Sequence, residues 1–220
     1  MKIALISDIH GNYPALEAVL ESQAFRSVKT AYCLGDLVGY YPYPEECVKR
    51  IMKEGIPCVM GNHDYSLVVG KPCQKNQVGL KSFELTRKLV SKEVVQFLSK
   101  LPKKMELKIN EKSFLLVHGS PTDLLNGYVN PEDEVSIPEG FDGLAMGHTH
   151  KPFVKKKGGG LIINPGSVGQ PRNGVKGACF ALFDPDSLEA GLFSEPYDAT
   201  QVIAKTRQLG SEEAANALEQ

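Results

Sequence analysis

The five histidines of this 220-residue chain, His10, His63, His118, His148 and His150, all lie just past short apolar runs. The runs and their tails are IALIS before Asp8-Ile9-His10, YCL before Gly35-Asp36, CVM before Gly61-Asn62-His63-Asp64, FLLV before His118-Gly119, and LAM before Gly147-His148-Thr149-His150. Taken singly, an Asp-x-His pair is more often a turn with a satisfied histidine, and Gly-Asp or Gly-Asn is an ordinary turn signal. Taken together, the fragments supply what two adjacent divalent cations require: a bridging ligand, neutral ligands and an open position for water.

In that reading Asp36 is the natural bridge, because a carboxylate can share its oxygens between two cations. Asp8 and His10 bind one metal with a histidine from the far end of the chain, and Asn62, His118 and one of His148 or His150 complete the other. With Asp8 and Asp36 as the only anions, two dications keep a surplus of about two positive charges, which attracts and polarises a phosphoryl group. A bridging water would ionise near neutral pH, since a single catalytic zinc already lowers its water to a pKa of about 7. The resulting hydroxide is the expected nucleophile, so no Ser or Cys nucleophile is needed. His63 follows Asn62 directly, which is expected to turn its ring away from the metal and toward substrate, where it donates a proton or hydrogen bond to the leaving oxygen. Asp64 either orients that ring or caps the helix that follows.

Five polar tails can meet only if their strands share an edge. Strand-length apolar runs alternate with stretches of helical period, which predicts an α/β fold whose ligands gather at the carboxyl ends of the strands. Strands are expected at 2–7, 31–34, 56–60, 107–109, 114–117, 144–146, 152–157, 161–163, 178–183 and 190–193. Helices are expected from Asn12, over about 44–54, and in two pieces across 64–101 with a cap at Ser91. The last stretch, about 199–220, reads as one or two exposed, peripheral helices, and the whole of 1–220 as a single domain. The loop of about 120–140 has the length of a lid.

Composition narrows the function classes. With 42% hydrophobic residues, 23% charged residues and a net charge of −1, the chain is neither disordered nor basic in the manner of a nonspecific nucleic-acid binder. The five cysteines form no C-x-x-C pair and read as reduced thiols. The apolar stretch at the N-terminus is too short for a secretion signal and no segment approaches membrane-spanning length, so the expectation is cytoplasmic residence and no membrane partner.

The five fragments, in this order over about residues 1–170, resemble the calcineurin-like metallophosphoesterase superfamily. The longer strings SDIHGNYPALEAVL, CLGDLVGYYPYP and INPGSVGQPR are similar to its small single-domain bacterial and archaeal phosphodiesterase branch, often labelled diadenosine-tetraphosphatase-like. The resemblance implies a four-layer αββα sandwich with two mixed β-sheets. It also implies Asp8, His10, Asp36 and His150 on one metal, Asp36, Asn62, His118 and His148 on the other, and His63 as the catalytic histidine. The cofactors it implies are two divalent transition metal ions drawn from manganese, iron, zinc or nickel, with manganese the first choice in vitro.

The expected activity is hydrolysis of a phosphodiester or phosphomonoester on a small substrate, nucleotides included. Arg172, near Asn164-Pro165-Gly166-Ser167, is the candidate substrate cation, whereas the turn itself reads as structural. Tyr40, Tyr41 and Tyr43 read as nucleobase stackers or as loop packing, and Lys155, Lys156 and Lys157 as a solvated hairpin tip. Two rivals are a binding or scaffold protein on the same fold with vestigial activity and a nuclease. The intact His63 and ligand set oppose the first, and the near-neutral charge opposes the second. The C-terminal helices could pair two copies into a homodimer or simply pack on their own surface.

Overall fold

The computed structural model describes residues 1–172 and 174–219. Its elements in chain order are β1 (Ile3–Ile6), α1 (Tyr13–Glu21), α2 (Gln23–Arg26), β2 (Ala31–Cys33), α3 (Pro44–Glu54), α4 (Asn62–Val69), α5 (Gln77–Leu89) and α6 (Lys92–Leu98). There follow β3 (Lys104–Ile109), β4 (Lys112–Val117), β5 (Gly143–Ala145), β6 (Phe153–Lys157), β7 (Gly160–Asn164), β8 (Ala178–Asp184), β9 (Glu189–Glu195), α7 (Thr200–Gln208) and α8 (Glu212–Asn216). They form two mixed sheets of order β2-β1-β8-β9 and β3-β4-β5-β7-β6, the α/β sandwich expected.

The buried strands carry unbroken apolar runs because both of their faces are covered. One face of the first sheet, with Ala4, Ile6, Phe180 and Leu182, packs on α1, α3 and α6 through Leu16, Val19, Val48, Ile51, Val94 and Leu98. The other face, with Ile3, Leu5, Ala181 and Phe183, meets Phe114, Leu116, Leu161 and Ile163 of the second sheet. The outer face of the second sheet is closed by the irregular segment between β4 and β5, where Leu124, Val129, Val135 and Phe141 cover Leu115, Val117, Leu144 and Ile162. That segment takes the place a fourth helical layer would occupy.

The topology aims the ligand tails. β1 runs parallel to β2, and β4, β5 and β7 run parallel to one another, so the loops after these strands leave from the same ends of their sheets. Three expectations need correction. Residues 56–60 do not form a third strand: only Cys58 bridges to Cys33, Pro57 has no N–H to give, and Met60 N turns to the Pro102 carbonyl at 2.7 Å. Helix α4 starts inside the Gly61-Asn62-His63-Asp64 motif, so Asp64 is a residue of the first turn and Gly61 holds the cap position. The C-terminal helices are not peripheral, because Val202 of α7 and Ala214 of α8 pack with Tyr40 and Tyr41 beside the ligand loops. Among the described residues, no helix is long and apolar enough to cross a membrane.

Candidate metal centre

The residues singled out by spacing come together at one end of the sandwich. Asp8, His10, Asp36, Asn62, His63, His118 and His150 are buried, while His148 is half-buried at the mouth. Eight non-glycine residues among those described have positive φ, and five of them are Asp8 (55°), His10 (52°), Asp36 (55°), His148 (66°) and His150 (61°). Left-handed backbone costs an L-residue about 1–2 kcal/mol, and such strain persists where the surroundings fix a functional geometry. Two glycines permit the close approach: a Cβ at Gly61 would strike the Asp36 carboxylate, and one at Gly147 would strike Ser7 and Asp8.

Second partners set which atom each side chain presents. The Nδ1 atoms of His10, His118 and His150 lie 3.2, 2.8 and 2.7 Å from the carbonyls of Val38, Leu34 and Gln170. A carbonyl only accepts, so each Nδ1 carries the proton and each Nε2 turns inward as a lone pair. Asp8 Oδ2 accepts from Ser7 Oγ at 2.6 Å and from the His148 amide at 3.0 Å, which leaves Oδ1 buried without a hydrogen-bond partner.

Two clusters result. In the first, His10 Nε2 and His150 Nε2 are 3.0 Å apart, and Asp8 Oδ1 lies 3.2 Å from His150 Nε2 and 3.6 Å from His10 Nε2. In the second, His118 Nε2 lies 3.0 Å from Asn62 Oδ1 and 3.2 Å from His148 Nδ1. Asp36 stands between them, its Oδ2 at 3.7 Å from His10 Nε2 and 3.3 Å from His118 Nε2. Lone pairs this close repel unless a cation lies among them, and such separations suit donor atoms that each sit about 2.0–2.2 Å from a shared metal ion. Asp8 with His10 and His150, and Asp36 with His118 and His148, therefore fit a pair of metal ions.

Without metal, the surplus of acceptors reshapes the titration of the site. Burial opposes charge on His118, yet the adjacent Asp36 carboxylate lifts its pKa to about 10. Burial acts against the charged form of Asp36 and Asp8 as well, but nearby histidines, His118 for Asp36 and His150 for Asp8, hold both below the usual carboxylate range. Burial pushes His63 down to about 3 and, with repulsion from His118, His148 down to about 4. Burial also lowers His150.

His63 is fastened through its amide, which donates to Asp36 Oδ1 at 2.8 Å. Its ring stands edge-on to His10, 4.9 Å between centroids, and against Tyr40, also at 4.9 Å. A ring nitrogen of His63 lies near the candidate ligand atoms of His10 and Asp36.

Asp64 caps α4 from the third position of its first turn, by accepting from the amide of the N-cap residue Gly61, and does not orient the His63 ring. Its carboxylate accepts from the amides of Asp36 (2.8 Å), Leu37 (3.0 Å), Val38 (3.3 Å) and Gly61 (3.0 Å), and the His63 ring is not among its partners. Burial and the neighbouring Asp36 charge push its pKa up to about 7, against the pull of these amides. Asp64 thus clamps the loop after β2 onto the first turn of α4.

Arg172 sits at the rim, its amide donating to the His150 carbonyl at 3.2 Å and its guanidinium to the Tyr128 hydroxyl at 3.0 Å. Tyr128 stands edge-on to His148 with ring centroids 5.3 Å apart, so this residue of the long loop reaches the site mouth. Sequence reasoning marked the loop but missed the tyrosine, and its length was the only signal. Asn164 and Ser167 brace the ligand loops, Asn164 Nδ2 donating to the Gly147 carbonyl at 2.8 Å and Ser167 Oγ to the Asp8 carbonyl at 2.7 Å. Tyr40 and Tyr41 are buried, their hydroxyls accepting from Gln74 Nε2 and Gln170 Nε2. The lysines at the hairpin tip are partly engaged, with Lys155 donating to the Asp133 carbonyl at 2.8 Å and Lys157 paired with Glu134.

Relatives agree with this architecture. A protein of Methanocaldococcus jannaschii of uncharacterized function is 35% identical over 221 residues, covering 92% of this chain and 90% of its own length. The Escherichia coli phosphodiesterase YfcE is 28% identical over 192 residues, covering 86% and 90%. A crystal structure of a metallophosphoesterase from Sphaerobacter thermophilus superposes with a TM-score of 0.82 at 30% identity, covering 100% of this chain and 99% of that one. Residues 1–188 match the calcineurin-like phosphoesterase superfamily domain, and the chain belongs to that superfamily.

Proposed function

We propose that this protein is a metal-dependent hydrolase of phosphoester bonds, a phosphodiesterase or phosphatase acting on a small phosphorylated substrate, nucleotides included. The observation that carries the reading is the cluster in which the inward Nε2 lone pairs of His10 and His150 face the buried, unpartnered Oδ1 of Asp8. Asp8, His10, Asp36 and His150 would hold one divalent ion, and Asp36, Asn62, His118 and His148 the other. Two such ions supply a water acidified toward neutral pH and positive charge against the phosphoryl oxygens.

The chain's own groups do the rest. Asp36 fixes the spacing of the two clusters, and its second oxygen holds the His63 amide. Burial keeps the His63 ring neutral at pH 7, so it acts through one ring N–H, hydrogen-bonded to the leaving oxygen. Arg172, released from the Tyr128 hydroxyl, turns its guanidinium to a phosphoryl oxygen, where a planar fork of donors suits the geometry. The named activities of two relatives support this reading: the phosphodiesterase above, and a symmetrical bis(5'-nucleosyl)-tetraphosphatase of Buchnera aphidicola, 31% identical over 120 residues but covering only 53% of this chain.

The test is metal analysis of the purified protein alongside turnover of an aryl monoester, an aryl diester, cyclic nucleotides and dinucleoside polyphosphates. Two equivalents of transition metal and turnover abolished by chelation are expected. Protein that takes up no metal and stays inert with added manganese, zinc, nickel or ferrous ion would end the proposal.

A further inference from the structure

A cavity of about 690 Å³ opens beside the metal centre. It begins where the centre ends, because Tyr40, Gln170 and Arg172 belong to both: Tyr40 packs on His10 and His63, the Gln170 carbonyl holds His150 Nδ1, and the Arg172 amide bonds the His150 carbonyl. We propose that this cavity is the subsite for the organic half of the substrate, a nucleoside-sized group esterified to the phosphorus. The inference rests on the phosphoesterase reading and adds the class of group that reading leaves open.

Three features carry it. Its volume falls within the range of about 300–1,000 Å³ typical of small-molecule sites. Its lining combines apolar surfaces, Val78, Val175 and Leu218 among them, with the amides of Gln74, Asn76 and Gln170, the mixture that holds a flat heterocycle by its faces and reads its edge. Arg172 and Lys176 bring positive charge, while the carboxylate of Glu219 is already paired with Arg207 at 2.8 Å, so the rim favours an anion.

Part of the lining comes from Ala199, Ala217 and Leu218, all beyond the 1–188 span of the superfamily domain. The C-terminal helical segment thereby becomes part of the substrate site, a device added to the shared catalytic scaffold.

The experiment compares two diesters with one leaving group, thymidine 5'-(p-nitrophenyl phosphate) and methyl p-nitrophenyl phosphate, in wild type and in two cavity-filling variants at separate lining residues, Ala217→Trp and Val175→Trp. Alongside, calorimetry follows AMP and inorganic phosphate binding to chelator-treated protein. Wild type is expected to favour the thymidine ester in kcat/KM, and each variant to erode that preference by about 10–200-fold, the range for an apolar pocket that misfits its ligand. AMP should bind wild type more tightly than phosphate does and lose that advantage in both variants. Equal turnover of the two esters by wild type, equal losses on both esters in the variants, or no AMP binding to wild type overturns the subsite. If neither ester turns over with any metal while AMP binding follows the variants, the hydrolase reading fails and the organic-phosphate cavity stands.

Discussion

At the scale of single residues, the proposed ligands and the proposed catalytic histidine are separable because they differ in what else holds them. Asp36 touches both clusters through one oxygen and the His63 amide through the other, so Asp36→Asn removes the shared anion and should lower metal stoichiometry below two. Partners one shell further out typically cost 10–100-fold in metal affinity, and loss of the bridge itself should cut turnover by at least about 100-fold. Metal analysis beside activity checks this, and full metal content with unaltered turnover would remove Asp36 from its assigned place. His63 takes no part in the two closest donor clusters. His63→Gln is therefore expected to keep its metal and lose about 10²–10³-fold in turnover, the usual worth of one positioned hydrogen-bond donor. Metal loss in that variant would instead make His63 a ligand, a result its reach toward His10 and Asp36 makes worth measuring.

At the scale of elements, Asp64 has the sharpest consequence. Four backbone N–H groups from the loop after β2 and the start of α4 converge on its carboxylate. Asp64→Asn replaces one acceptor oxygen with an NH₂ that faces donors. Hydrogen bonds to a charged group are worth about 1.5–3 kcal/mol, and 1 kcal/mol moves the melting temperature of a chain of this size by about 2–4 °C. A fall of roughly 5–10 °C follows, accompanied by lost turnover as Asp36 shifts; an unchanged melting curve would show that the clamp carries no strain-holding function. The cap was legible in the sequence, but the hold on the loop was not, because the donors at Asp36, Leu37 and Val38 lie far away along the chain. The strands that lead to the candidate ligands were legible for the opposite reason: β1, β2, β4 and β5 carry apolar runs that end abruptly in polar residues, a local signal. Residues 56–60 imitate that signal, yet Pro57 and the Pro102 carbonyl divert their backbone bonds. Tyr128 and the packing of α7 and α8 on Tyr40 and Tyr41 were illegible because nothing periodic in those segments names a partner.

At the scale of the whole molecule, the candidate centre is expected to make stability depend on pH and metal together. In chelated protein, His63 and His148 have folded pKa values near 3 and 4, and that of His150 is lowered too, beneath the ordinary histidine value of about 6.5. Between these values and 6.5 the unfolded chain binds more protons than the folded one, so stability rises with pH across that window. Asp64, raised to about 7, pulls the other way between about 4 and 7, but one acid opposes three histidines. His118 is the reverse case: with its folded pKa near 10, its contribution is complete below 6.5 and is lost as pH climbs toward 10. The metal-free protein should therefore be most stable near pH 6.5, with its melting temperature falling on both sides. Metal requires neutral imidazole, so loading expels the His118 proton at pH 7, releases it to a weakly buffered solution, and binds more tightly as pH rises. Manganese should thus raise the melting temperature most at alkaline pH and flatten the alkaline limb, since a ligand that binds only the folded state stabilises it by mass action. Melting curves from pH 5 to 9, with chelator and with manganese, decide the matter. A chelated protein that grows steadily more stable through pH 9 would mean that Asp36 does not hold His118 in its charged form, and the coupling between the bridge and the second cluster would have to be abandoned.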